Sequence, residues 1–147
     1  MRRALPLLVL LTSLGVAAPA FAVQDAAVGE WLTPDGSTKV TAAPCPGAPA
    51  RLCGAITWMR RPEDRRGETW RDLHNPDAGL RQRPLIGVLA FRQMQNAGPG
   101  HWANGSIYDP ATGRTLKGRV RALPDDRLIV EGCDAAGCKA ETWSRAL

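Results

Sequence analysis

From Glu30 to Arg145 the chain is cut into short runs by turn-forming residues, and this punctuation limits the fold more than any other feature. Pro34-Asp35-Gly36, Asn96 to Gly100, Asp109-Pro110-Ala111-Thr112-Gly113 and Pro124-Asp125-Asp126 supply the preset or left-handed dihedrals that tight turns need. Between them the pattern has period two. Thr38, Val40 and Ala42 alternate with Ser37, Lys39 and Thr41, while Leu116, Gly118, Val120 and Ala122 alternate with Lys117, Arg119 and Arg121. Eight strand-like runs result: Glu30 to Thr33, Ser37 to Ala43, Arg51 to Met59, Leu85 to Met94, His101 to Tyr108, Arg114 to Leu123, Arg127 to Cys133 and Lys139 to Arg145. No amphipathic helix long enough for a βαβ unit interrupts them, so the chain reads as antiparallel all-β structure.

Eight such strands close as an up-and-down barrel or split into a sandwich. The ends of the chain favour the barrel, because closure removes exposed edges. Gly29-Glu30-Trp31 opens the first strand and Thr142-Trp143-Ser144-Arg145 closes the last. An arginine laid over the tryptophan face would make first and last strands neighbours, so Trp31 and Arg145 are the expected closure pair.

The N-terminus predicts an address. Arg2 and Arg3 precede an apolar run from Leu5 to Val16, and Ala20-Phe21-Ala22 is a small-x-small cleavage signal. Residues 1–22 are therefore expected to be a signal peptide, and 23–147 a single barrel domain. The apolar run is too short for a spanning helix, which needs about 20 residues, so no transmembrane segment is expected after cleavage. Loss of Arg2 and Arg3 lowers the formal charge from +5 to +3. The remaining excess of arginine shows no basic stripe with interleaved aromatics, which argues against nucleic-acid binding. The expected location is periplasmic or secreted.

In an exported chain four cysteines read as disulfides. Cys45 with Cys53 and Cys133 with Cys138 is the favoured pairing, since each pair brackets a turn. Cys133 and Cys138 would face each other across a hairpin, where opposed Cα atoms lie about 4.5–5.5 Å apart. A zinc site is disfavoured: neither spacing is Cys-x-x-Cys, and His74 and His101 are distant in sequence.

Arg60 to Pro84 breaks the pattern. It carries seven arginines and five acids, together with Trp70, His74 and Asn75-Pro76-Asp77. Connections of this length inside a compact domain are uncommon and usually functional or mobile. Pro76 to Gln82 suits one or two helical turns.

These motifs, in order, resemble a bacterial exported family. The resemblance rests on Gly29-x-Trp31, Pro34-Asp35-Gly36, Cys45 and Leu52-Cys53-Gly54-x-Ile56-x-Trp58. It continues through Asn75-Pro76-Asp77, Leu80-Arg81-x-Arg83-Pro84-Leu85-x-Gly87, Trp102, Gly105-x-Ile107-Tyr108-Asp109-Pro110-x-Thr112-Gly113, Gly132-Cys133 and Thr142-Trp143-x-Arg145. The family is catalogued as domain-of-unknown-function family 2147 and is similar to lipocalin-like, calycin-type barrels. The stretch Arg60 to Leu73 is longer and more charged than usual, and Leu116 stands where an aromatic is common. The resemblance implies a small eight-stranded lipocalin-like barrel in an exported compartment. It implies no reaction.

No catalytic constellation emerges from the residues. Ser37, Ser106 and Ser144 lack a nucleophile-elbow context, and Glu63-Asp64 and Asp125-Asp126 read as solvated loop acids. No cofactor motif is present, and an enzyme is not expected. A carrier of a small apolar or lipid-like molecule is the leading reading. Trp58, Trp102 and Tyr108 are the expected lining residues, with Arg81 and Arg83 at the mouth. Gly54, Ala55, Gly118 and Ala122 are small and lean towards an open interior. The alternative is an envelope interaction module with a filled barrel, binding a protein partner through residues 60–84.

Overall fold

The structure, a computed structural model, describes residues 25–147; the expected signal peptide, residues 1–22, lies outside them. Eight strands follow one another: β1 (Gly29–Leu32), β2 (Thr38–Cys45), β3 (Ala48–Met59), β4 (Leu89–Gly98), β5 (His101–Asp109), β6 (Arg114–Leu123), β7 (Arg127–Asp134) and β8 (Gly137–Arg145). Each pairs antiparallel with the next, and β1 pairs with β8, so the sheet is a closed barrel in sequence order. Closure leaves no free edge ladder.

Two hairpins are disulfide-linked, Cys45 to Cys53 and Cys133 to Cys138. The first is a tighter hairpin than the expected strand ends at Ala43 and Arg51 imply. β2 runs through Pro44, β3 starts at Ala48, and Pro46-Gly47 alone forms the tip. Prolines fit here because the hairpin overhangs its neighbour: β1 pairs only with Lys39 to Ala42.

β4 begins at Leu89 rather than Leu85. Before it the chain kinks at Gly87, whose φ is 98°. The Gly87 N–H donates to the Ile56 carbonyl at 2.7 Å, and the Ile56 N–H to the Val88 carbonyl at 2.9 Å. The alternation of β3 is interrupted near its end. Lys39 pairs with Trp58 but Val40 pairs with Ile56, so Thr57 is an extra, bulged residue. Beyond it parity flips. Trp58 turns to the outer wall, where the Lys39 ammonium sits 5.6 Å from its ring centroid. Met59 packs against the core instead.

The core is packed by large side chains set against glycine. A Cβ on Gly54 would lie 2.3 Å from the Phe91 ring, and one on Gly118 would lie 2.3 Å from Cε of Met94. The small inward residues are thus filled by neighbours, which corrects the expectation that they hold space open. Ala55 pairs with Thr41 on the opposite face from Val40 and Ile56.

One end of the barrel is sealed. Cζ of Arg145 lies 4.2 Å from the centroid of the fully buried Trp31 ring. Its guanidinium donates to the carbonyls of Ala26 (2.9 Å) and Val28 (3.2 Å) and to Asp126 (2.8 Å). Trp31 Nε1 donates to the Ala27 carbonyl at 2.9 Å. Residues 25–28 therefore strap across this end. Gly29 has a φ of 134°, which L side chains rarely adopt, and a Cβ there would also crowd Nη1 of Arg145 at 2.5 Å.

Arg60 to Pro84 leaves from the other end and is ordered. It contains bridges Glu63–Thr69 and Arg71–Pro84. Its helix is a single 3-10 turn, Ala78–Leu80, capped by the Asp77 carboxylate, shorter than the expected Pro76 to Gln82. Among the described residues no helix is long and apolar enough to cross a membrane.

Candidate functional site

The up-and-down order sends the β1–β2, β5–β6 and β7–β8 turns to the end opposite Arg145. That end opens on an interior cavity of about 300 Å³. Val40, Ile56, Ile107, Val130 and Trp143 form its apolar depth. Nearer the rim stand Thr33, Thr38, Asp109, Lys139 and Glu141. Below it Phe91, Met94, Leu128 and Trp31 are fully buried and close the barrel. The volume lies at the small end of ligand pockets, roughly 300–1,000 Å³. Larger hollows of about 400 and 610 Å³ lie between β5, β6 and β7, flanked by Arg119. The first has Trp102, Val120 and Ile129 in its lining but also Arg119, Arg121 and Glu131, and the second is flanked by Asn104, Lys117 and Arg119, so both are more charged than the interior cavity.

The long segment is fastened to this end by a buried carboxylate. Asp72 is fully inaccessible. Its Oδ2 accepts from Arg83 Nε (2.9 Å) and Nη2 (2.7 Å) and from Asn75 Nδ2 (2.7 Å), while Oδ1 accepts from the Tyr108 hydroxyl at 2.5 Å. Burial pushes the Asp72 carboxyl upward, but hydrogen bonds from Tyr108, Asn75 and Arg83 outweigh it and hold the pKa below the ordinary carboxylate range. Burial and the same carboxylate push the Tyr108 hydroxyl up to about 12. His74 sits beside the β5–β6 turn. A Cβ on Gly113 would fall 1.9 Å from the His74 carbonyl oxygen, so only glycine admits the segment there.

Of the residues singled out from the sequence, Tyr108 and Arg83 meet at Asp72 and flank a hollow of about 500 Å³, whereas Trp58 and Trp102 lie apart. Trp58 is 40 % exposed on the outer wall, not in the interior, because of the Thr57 bulge. Trp102 lies towards the sealed end, where its Nε1 donates to Asp25 at 3.1 Å, and it does not line the cavity. Tyr108 borders the cavity and reaches out to Asp72. Arg83 is held by Asp72, and Arg81 Nε donates to the Asn75 carbonyl at 2.8 Å. Neither arginine lines the cavity. Glu131 lies near Cys133 and Cys138, but both sulfurs belong to a disulfide, so this cluster offers no thiolate.

The sequence reading missed the inner face of β8. Leu128 pairs with Trp143, Val130 with Glu141 and Gly132 with Lys139. The parity that turns Trp143 inward therefore turns Glu141 and Lys139 inward too. Two charged residues in step with a buried tryptophan were the available signal.

The arrangement matches known architecture. A solved structure described as "Protein HP1028 from the human pathogen Helicobacter pylori belongs to the lipocalin family" superposes with a TM-score of 0.66. It is 22% identical, and 82% of each chain is covered. At that identity the likeness shows the fold: a lipocalin-like barrel. No curated protein matches the chain. The model of the family described as "Uncharacterized protein conserved in bacteria (DUF2147)" matches residues 29–145, nearly the whole barrel, and the chain belongs to that family.

Proposed function

We propose that the protein is a non-enzymatic binding protein of the bacterial envelope that holds one small, largely apolar molecule. The supporting observation is the cavity of about 300 Å³ at the unsealed end, apolar in depth and polar at its rim. Export by cleavage after Ala22, into the periplasm or beyond, is part of the same reading. It agrees with two disulfides in the barrel.

The test is native purification from the host envelope followed by mass spectrometry of co-purifying small molecules. A bound apolar metabolite, lost in Val130→Arg and retained in Trp58→Arg, supports the reading. Val130 lines the cavity whereas Trp58 lies outside it. A protein that emerges empty and takes up no apolar ligand sinks it.

A second reading has its own support. Trp70 and Leu73 are 44 % and 57 % exposed on the segment that Asp72 fastens down. An ordered segment displaying large apolar side chains suits an envelope protein partner. A Trp70→Ser, Leu73→Ser variant that keeps small-molecule binding but loses a partner would separate the two.

A further inference from the structure

We propose that the cavity selects a small organic cation with an apolar body over a carboxylate or a neutral alcohol of the same size. The inference rests on the ligand-binding reading above and specifies the chemistry of its site.

Three inward residues of β8 carry the argument. Trp143 is the aromatic of the cavity depth, and Glu141 stands one inward position above it. Glu141 Oε2 accepts from Trp143 Nε1 at 3.2 Å, which holds the carboxylate over the tryptophan. Its other oxygen lies 3.7 Å from Lys139 Nζ, too far for a strong hydrogen bond. Lys139 is 84 % exposed and Glu141 44 %, so both charges reach solvent at the rim and the ammonium is the more fully hydrated. Asp109 adds a second carboxylate to the rim. Its oxygens accept from the Ala111 N–H (2.9 Å) and the Thr112 hydroxyl (2.8 Å), neither of which is a cation. The lining therefore presents two carboxylates and one solvated ammonium. A carboxylate guest would have to sit beside both acids with only Lys139 to receive it. A cationic guest meets the Glu141 carboxylate at the mouth while its apolar body lies against Val40, Ile56, Ile107 and Val130.

Dimensions limit the apolar body. From Lys139 to Trp143 along β8 is roughly 13 Å. Opposite Lys139, Leu116 packs over Gly132 and narrows the space, since a Cβ on Gly132 would lie 2.7 Å from the Leu116 side chain. One short chain fits this space, and a two-chain lipid does not.

The experiment is calorimetric titration of the purified, oxidised protein with octyltrimethylammonium, octanoate and octanol, each below its micelle-forming concentration. The ammonium is expected to bind about fivefold tighter than the other two. Glu141→Gln should abolish that preference, with near-ultraviolet circular dichroism confirming the fold. Lys139→Gln should strengthen the ammonium. Equal or tighter binding of octanoate, or a preference that survives Glu141→Gln, overturns the cation inference while the carrier reading stands. If none of the three binds, the carrier reading fails as well.

Discussion

The Tyr108 hydroxyl donates to Asp72 Oδ1 at 2.5 Å, joining β5 to a segment 36 positions earlier in the chain. This bond ties the cavity wall to the long charged segment, which would otherwise be the part of the molecule with least reason to be ordered. Tyr108→Phe removes the donor while Arg83 and Asn75 still partner the other oxygen. A loss of about 1–3 kcal/mol is expected in denaturant titration. Amide exchange should rise in residues 60–84 and stay unchanged in β7 and β8. Unchanged exchange in the segment would show that the tie does not hold it.

Acid should release the same tie. The folded pKa of Asp72 lies below its ordinary 3.8, so the native state binds the proton less readily than the unfolded one. Its stabilisation is complete above about pH 4 and falls as pH drops through the lowered value. At the alkaline end Tyr108 acts in the opposite direction, with stability lost as pH climbs from 10.0 towards about 12. Asp72→Asn should remove the acid limb contributed by this site. A pH–stability curve that keeps its acid slope in the variant would assign that slope elsewhere.

Arg145→Ala should cost about 2 kcal/mol, from the stacking on Trp31 and the carbonyls of Ala26 and Val28 left without a donor. Lysine should recover only part, because it cannot form the planar fork. The readout is the urea midpoint at constant slope.

Gly113→Ala and Gly47→Ala make a matched pair. Both glycines have positive φ, 70° and 73°. Around Gly47 nothing lies within 4 Å, whereas a Cβ on Gly113 would strike the His74 carbonyl. Gly47→Ala should cost only the backbone term, about 1 kcal/mol. Gly113→Ala should cost more and shift the His74 segment, visible as chemical-shift changes across residues 72–76. Equal costs would mean that the segment yields freely.

Trp58→Ala should change stability by less than about 1 kcal/mol, since the ring lies on the outer wall against Lys39. A loss of several kcal/mol would put the ring back in the core.

The strands were legible because their causes are local: alternation, turn residues and bracketing cysteines act over a few positions. The bulge at Thr57 was not, because an extra residue shows itself only against the partner strand. That one register shift moved Trp58 from the expected lining to the exterior. Lys139 and Glu141 share the parity of Trp143 in the sequence, and their pairing with Gly132 and Val130 sets them on its face. In the long segment the turn at Asn75-Pro76-Asp77 could be read locally. Nothing near Asp72 marked it for burial, since its partners Arg83 and Tyr108 come from 11 and 36 positions away.

The seam between β1 and β8 has a kinetic consequence. Every other neighbouring pair of strands is consecutive in the chain and can zip as it emerges. β1 and β8 meet at Trp31–Arg145 and Leu32–Ser144, with one more bond from the Ala146 N–H to Glu30, across nearly the whole domain. A short ladder between distant strands carries the largest loop-closure cost, so weakening the Arg145 latch is expected to leave the refolding rate nearly unchanged and to speed unfolding. The seam thereby sets how long a folded ring survives between openings.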